Sequence, residues 1–131
     1  MGSFHALFWA GRILFGMLFV MSGFNHFTQV ANMTRFAESK GVPMARFSVL
    51  LSGLALLLGG LSIIFWWWVE IGAWLIALFL LAAAFKMHDF WTVEDPMEQQ
   101  NQMAQFMKNI ALAGAAIIFY ALVQAPALLA P

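Results

Sequence analysis

Cysteine is absent from all 131 residues, which excludes disulfides, thiolate metal sites, iron–sulfur clusters and any cysteine relay of sulfur or electrons within the chain. Charge is nearly as scarce. Asp, Glu, Lys and Arg make up 9% of the sequence, against roughly 25% in soluble domains. Six acidic and six basic side chains cancel, so neither nucleic acid nor an acidic surface is indicated as an electrostatic partner. No nucleotide-binding loop, haem-attachment motif or nucleophile elbow is present. A chain without a redox centre of its own cannot move electrons between substrates unaided, so independent catalysis is not expected, and neither a metal nor a haem is expected as a resident group.

What fills the chain is apolar: 63% hydrophobic and 16% aromatic residues, with a mean hydropathy of +0.85. The expected environment is lipid. Four spans of about 20 residues with short connections use up nearly the whole length, which predicts a single transmembrane domain, all-α, folded as an integral membrane four-helix bundle. The expected spans cover approximately residues 4–27, 47–68, 70–87 and 105–126. Because Arg12 follows apolar residues instead of preceding them, the first segment reads as a retained span and not as a cleaved signal.

Between the first two spans, residues 28–40 are amphipathic: Val30, Met33, Phe36 and Ala37 recur at helical spacing with Gln29, Asn32, Arg35 and Glu38 between them. This predicts an interfacial helix stopped by Gly41 and Pro43. The triplet Trp66-Trp67-Trp68 marks the opposite membrane face. Asp95-Pro96-Met97-Glu98 reads as N-cap, N1 proline, N2 and N3 acid, so the fourth helix is expected to be long and to project out of the membrane before crossing it. Small residues one turn apart (Ala55 and Gly59, Ala73 and Ala77, Ala111 and Ala115) predict close helix approach.

Four spans place both termini and the tryptophan turn on one side, and the two long loops on the other. Arg35, Lys40, Arg46, Lys86 and Lys108 flank the loop side against Arg12 alone, so positive-inside logic puts the loops in the cytoplasm and the termini in the periplasm. The same arrangement brings His26, at the end of the first span, to the face that holds His88 and Asp89 at the end of the third, together with Asn25, Trp91 and Asn109. These six are the candidate ligand-binding residues. The competing reading is interfacial anchoring, with the histidines satisfying carbonyls at helix ends and Trp91 joining an aromatic belt. On the other face, Arg12 and Glu70 each begin a helix and are expected to form a structural ion pair. The matching ends Phe24-Asn25-His26-Phe27 and Phe85-Lys86-Met87-His88-Asp89-Phe90 suggest two helical hairpins whose equivalent ends meet at a site.

The run from Arg12 to Phe19 with Ser22-Gly23, then Lys40-Gly41-Val42-Pro43, Gly59-Gly60, His88-Asp89-Phe90-Trp91, and Phe106 to Leu112 followed by Gly114 together resemble the DoxX family of small four-helix membrane proteins. The pieces occur in order over most of the chain. The family is similar to the small membrane subunits of thiosulfate:quinone oxidoreductase, and other members are associated with redox or oxidative-stress membrane complexes. The resemblance implies a multi-pass protein of the bacterial inner membrane with membrane or peripheral protein partners. In two places the chain departs from the family pattern: His26 stands where members often carry Lys, and Leu56 where they often carry Glu, which removes an intramembrane acid from any inherited proton-coupled chemistry.

Two functions follow. One is an accessory or anchoring subunit of a membrane redox complex that contacts quinone at the histidine rim, since aromatics with one or two polar groups suit such a ligand, and His88 oriented by Asp89 would be the group exchanging protons. The other is a non-catalytic packing subunit that binds only lipid. A metal-binding subunit is a third reading, lacking recognisable ligand spacing.

Overall fold

The computed structural model describes residues 2–129. Five α-helices follow one another: α1 Gly2–Thr28, α2 Val30–Ser39, α3 Ala45–Phe65, α4 Val69–Met87 and α5 Pro96–Gln124, with 3-10 turns at Phe90–Thr92 and Pro126–Leu129. All except α2 are long and apolar enough to cross a membrane. The fold is an all-α bundle, and the chain is a multi-pass membrane protein. The shortest of the four, α4, has 19 residues, about 28 Å at 1.5 Å per residue, close to the ~30 Å hydrocarbon thickness. With 29 residues, α5 reaches about 43 Å and extends beyond α4 on the loop side.

Large apolar side chains such as Leu7, Leu14, Phe24, Leu58 and Ile118 lie on the outside, where lipid replaces water as the solvent. The interior is built from smaller ones: Ala73, Ala77, Ala113 and Ala116 pack with Leu56, Ile63, Ile76 and Leu80 in one cluster. With lipid as apolar as any helix, close approach is what holds spans together. A Cβ on Gly16 would lie 2.8 Å from the Gly60 carbonyl oxygen, and one on Gly23 would lie 2.7 Å from that of Gly53. Glycine alone therefore lets α1 lie against α3 at this distance. The small pair expected at Ala111 and Ala115 is displaced by one face. Ala113 and Ala116, with Asn109, are the buried residues of α5, while Ala111 is exposed. Apolar periodicity cannot set the phase of a helix that is greasy all round.

The bundle closes unevenly: α1 packs along α3, α3 along α4 and α4 along α5, whereas α1 and α5 meet through rings, Phe15 and Phe119 lying 5.0 Å apart. Beneath α2 and beside this junction lie two partly open cavities.

Three local features fix the ends. At the start of α5, the Asp95 carboxylate accepts from the Glu98 N–H at 2.9 Å, with Pro96 at the first helical position, as expected. At the end of α2, Gly41 has φ +74°. The Val42 N–H donates to Ala37 O and the Gly41 N–H to Glu38 O, both at 3.0 Å, which is a Schellman stop. The third is the tryptophan turn. Here α3 stops at Phe65, short of the expected 68, because Trp66 and Trp68 both adopt left-handed backbone with φ 56°.

That turn explains Arg12. The ion pair expected with Glu70 does not form: Glu70 is exposed in the first turn of α4. Arg12, 5% exposed, instead donates from Nε to Ile63 O at 3.1 Å and from Nη2 to Ile64 O at 2.6 Å. Its guanidinium lies 4.0 Å from the centroid of Trp9 and is flanked by Phe8 and Trp66. A helix end leaves carbonyls unsatisfied and carries partial negative charge. A buried guanidinium from the neighbouring span fulfils both needs, and a carboxylate at the water interface offers it less.

Candidate ligand site

The larger cavity, about 490 Å³, lies between α1, α2, α3 and α4. Its lining is apolar apart from His26, Ser48, Ser52, His88, Asn32 and Lys86. A second cavity of about 200 Å³ lies between α1, α4 and α5, with Ser22, Lys108 and Asn109 on its wall. Five residues border both: His26, Met33, Phe79, Ala83 and His88. The two histidines thus stand where the spaces adjoin.

His26 is 4% exposed. Its Nδ1 lies 2.9 Å from Val49 O and 3.1 Å from Ser52 Oγ, and Ser52 Oγ itself donates to Val49 O at 3.0 Å. Because a carbonyl can only accept, the proton of this contact sits on Nδ1. The ring meets Phe79 nearly edge-on, with centroids 5.7 Å apart. Nε2 has no hydrogen-bond partner among the described residues. The position of the ring depends on Gly53, where a Cβ would come within 2.5 Å of the His26 Cβ.

His88 ends α4 and is half-buried. Its Nδ1 lies 2.8 Å from Gln102 Oε1, and Gln102 Nε2 donates to Glu98 Oε1 at 2.9 Å. A carboxylate only accepts, so the amide is oriented with its nitrogen towards Glu98 and its oxygen towards His88. His88 therefore also carries its proton on Nδ1 and keeps Nε2 free.

A match to the DoxX family model covers residues 7–89, from the first turns of α1 through both histidines. The chain belongs to the DoxX family. No curated protein and no solved structure matches it. The DoxX match ends at Asp89, so Gln102 and Asn109, which complete the site from α5, lie outside it. Leu56 is fully buried in the apolar cluster.

Of the six candidate residues, the structure brings His26, His88 and Asn109 to the cavities. Asn109 is 5% exposed and its amide has no hydrogen-bond partner among the described residues. Asn25, Asp89 and Trp91 border neither cavity. Asn25 is exposed on the outer face of α1. Trp91 is 53% exposed and packs edge-on against Phe90 and Phe106. Asp89 does not orient His88. It pairs with Lys40 at 2.6 Å and accepts from Thr92 Oγ1 at 3.0 Å, because adjacent residues at a helix end diverge and α2 delivers Lys40 to its side. Among the described residues no group of three or more His, Asp or Glu is placed to hold a metal ion.

Sequence reasoning missed Phe79, Ser52 and Gln102. Ser48 and Ser52 carried a readable signal, since hydroxyls one turn apart in an otherwise uncharged span imply one polar stripe. Gln102 carried none, as any of several glutamines and asparagines at the start of α5 could have met His88.

Proposed function

We propose that this DoxX protein is the membrane subunit of a redox complex and that the cavity beneath α2 holds the ring of a quinone-class ligand. The observation that carries this reading is the shared position of His26 and His88 on both cavities. An apolar space of this volume with a few convergent polar groups is the usual form of a small-molecule site. A single aromatic head group with a lipid tail suits an apolar lining that opens within a membrane-embedded bundle. In this reading the electrons come from and go to partner subunits. In the orientation read from Lys and Arg, the cavities lie at the cytoplasmic face of the bacterial inner membrane.

Purification from the native membrane in mild detergent, followed by lipid extraction, tests the proposal. Stoichiometric quinone in the wild type and its loss in His88→Ala, with membrane insertion unchanged, is the expected result. Recovery of bulk phospholipid only would favour the packing subunit. Reporter fusions between Thr92 and Glu98 are expected to read cytoplasmic, and fusions after Pro131, which lies outside the described residues, periplasmic.

A further inference from the structure

Building on the quinone-class reading above, we infer that the site selects the reduced, dihydroxy form of the ring, because the two histidines, as neutral imidazoles with Nδ1 already committed, have only a hydrogen-bond acceptor left to offer where they border the cavities. The argument rests on where each ring spends its proton. In a neutral imidazole one nitrogen donates and the other accepts. His26 commits Nδ1 to Val49 O, an acceptor that cannot reverse. His88 commits Nδ1 to Gln102 Oε1, and the amide cannot reverse without placing its oxygen against the Glu98 carboxylate. Each neutral ring is left with the Nε2 lone pair as its remaining polar group.

A quinone offers only carbonyl oxygens, and a carbonyl facing such a nitrogen sets lone pair against lone pair. A hydroquinone offers two O–H groups, and each can donate to an imidazole nitrogen. As donors, the other polar groups on the walls do not discriminate. Asn109 and Lys86 can donate equally to a carbonyl or to a hydroxyl oxygen, and the ammonium of Lys108 is engaged by Gln105 Oε1 at 2.7 Å. Sites built to hydrogen-bond a hydroxyl reject the analogue that lacks it, since their buried polar atoms are then left unpaired. The ligand class is therefore a dihydroxy aromatic ring, bound through its hydroxyl hydrogens.

The full chain in lipid nanodiscs, titrated with a decyl-substituted benzoquinone, its borohydride-reduced hydroquinone and the di-O-methyl ether of that hydroquinone, tests this. The hydroquinone is expected to bind about tenfold tighter than the quinone, the effect of one well-made hydrogen bond, and the ether no tighter than the quinone. Gln102→Leu, at a half-buried position near the start of α5, removes the group that fixes the His88 tautomer. It is expected to shrink the preference for the reduced form while retaining binding of both. Equal affinity for the two redox forms, or an ether that binds like the hydroquinone, would overturn the selectivity and leave the quinone-class site standing. Binding of none of the three would overturn both.

Discussion

Arg12 and His26 are both buried polar side chains of α1, and both reach across to backbone carbonyls of α3, yet the two ends of the bundle treat them differently. At the tryptophan turn the Arg12 guanidinium bonds two carbonyls and is covered by three aromatic rings. Neither cavity reaches it. At the loop side His26 borders both cavities, bonds one carbonyl and leaves its second nitrogen without a partner, and the unpartnered Asn109 lines the adjoining cavity. Polar groups are costly in a membrane interior. Where the fold ties one to carbonyls and covers it with rings, its role is to hold helices together. An unused hydrogen-bonding atom beside a void marks a place for something else.

The comparison breaks if the two ends respond alike to mutation. Arg12→Leu is expected to have the largest effect on stability, a loss of about 3 kcal/mol, since it removes charge-assisted bonds and strands two buried carbonyls. Thermal unfolding in detergent checks this, and ligand occupancy per folded molecule should remain at the wild-type level. Gly53→Ala follows at about 2 kcal/mol from overpacking. It should also reduce ligand occupancy, because the added methyl displaces His26, and extraction of bound lipid from the folded fraction measures that loss.

Trp91→Ala sharpens the comparison from outside the cavities. Loss of its ring contacts with Phe90 and Phe106 is expected to cost about 1 kcal/mol with occupancy unchanged. A parallel fall in occupancy would bring Trp91 back into the site. The smallest effect is expected from Asp89→Asn. It breaks a pair whose side chains are 21% and 24% exposed, for which about 0.5 kcal/mol is typical. Chemical-denaturant titration resolves that difference, and a change above 2 kcal/mol would show that the link between α2 and the end of α4 does more than tie two interfacial segments.

Much of this molecule follows from local signals. The four spans, the amphipathic α2, the Gly41 stop and the Asp95 cap each depend on hydropathy over a short window or on residues within a few positions of one another. Chain direction then carries His26 and His88 to one face, since successive spans alternate in direction. That step needs only the count of crossings.

Rotation about each helix axis is a different matter. Nearly every face of these spans is apolar, so the sequence carries little phase information, and contacts between helices decide it. They turned Asn109 inward and Asn25 outward, chose Ala113 and Ala116 over Ala111 and Ala115, and took Arg12 to the end of α3 instead of to Glu70. They also set Lys40 against Asp89 and Gln102 against His88, pairs far apart in sequence or on separate helices. Composition and periodicity determined that this chain is a four-span bundle with a polar rim. Only the packed structure decided which rim residues border empty space and which imidazole nitrogen each histidine leaves free, because both depend on atoms brought together from different helices.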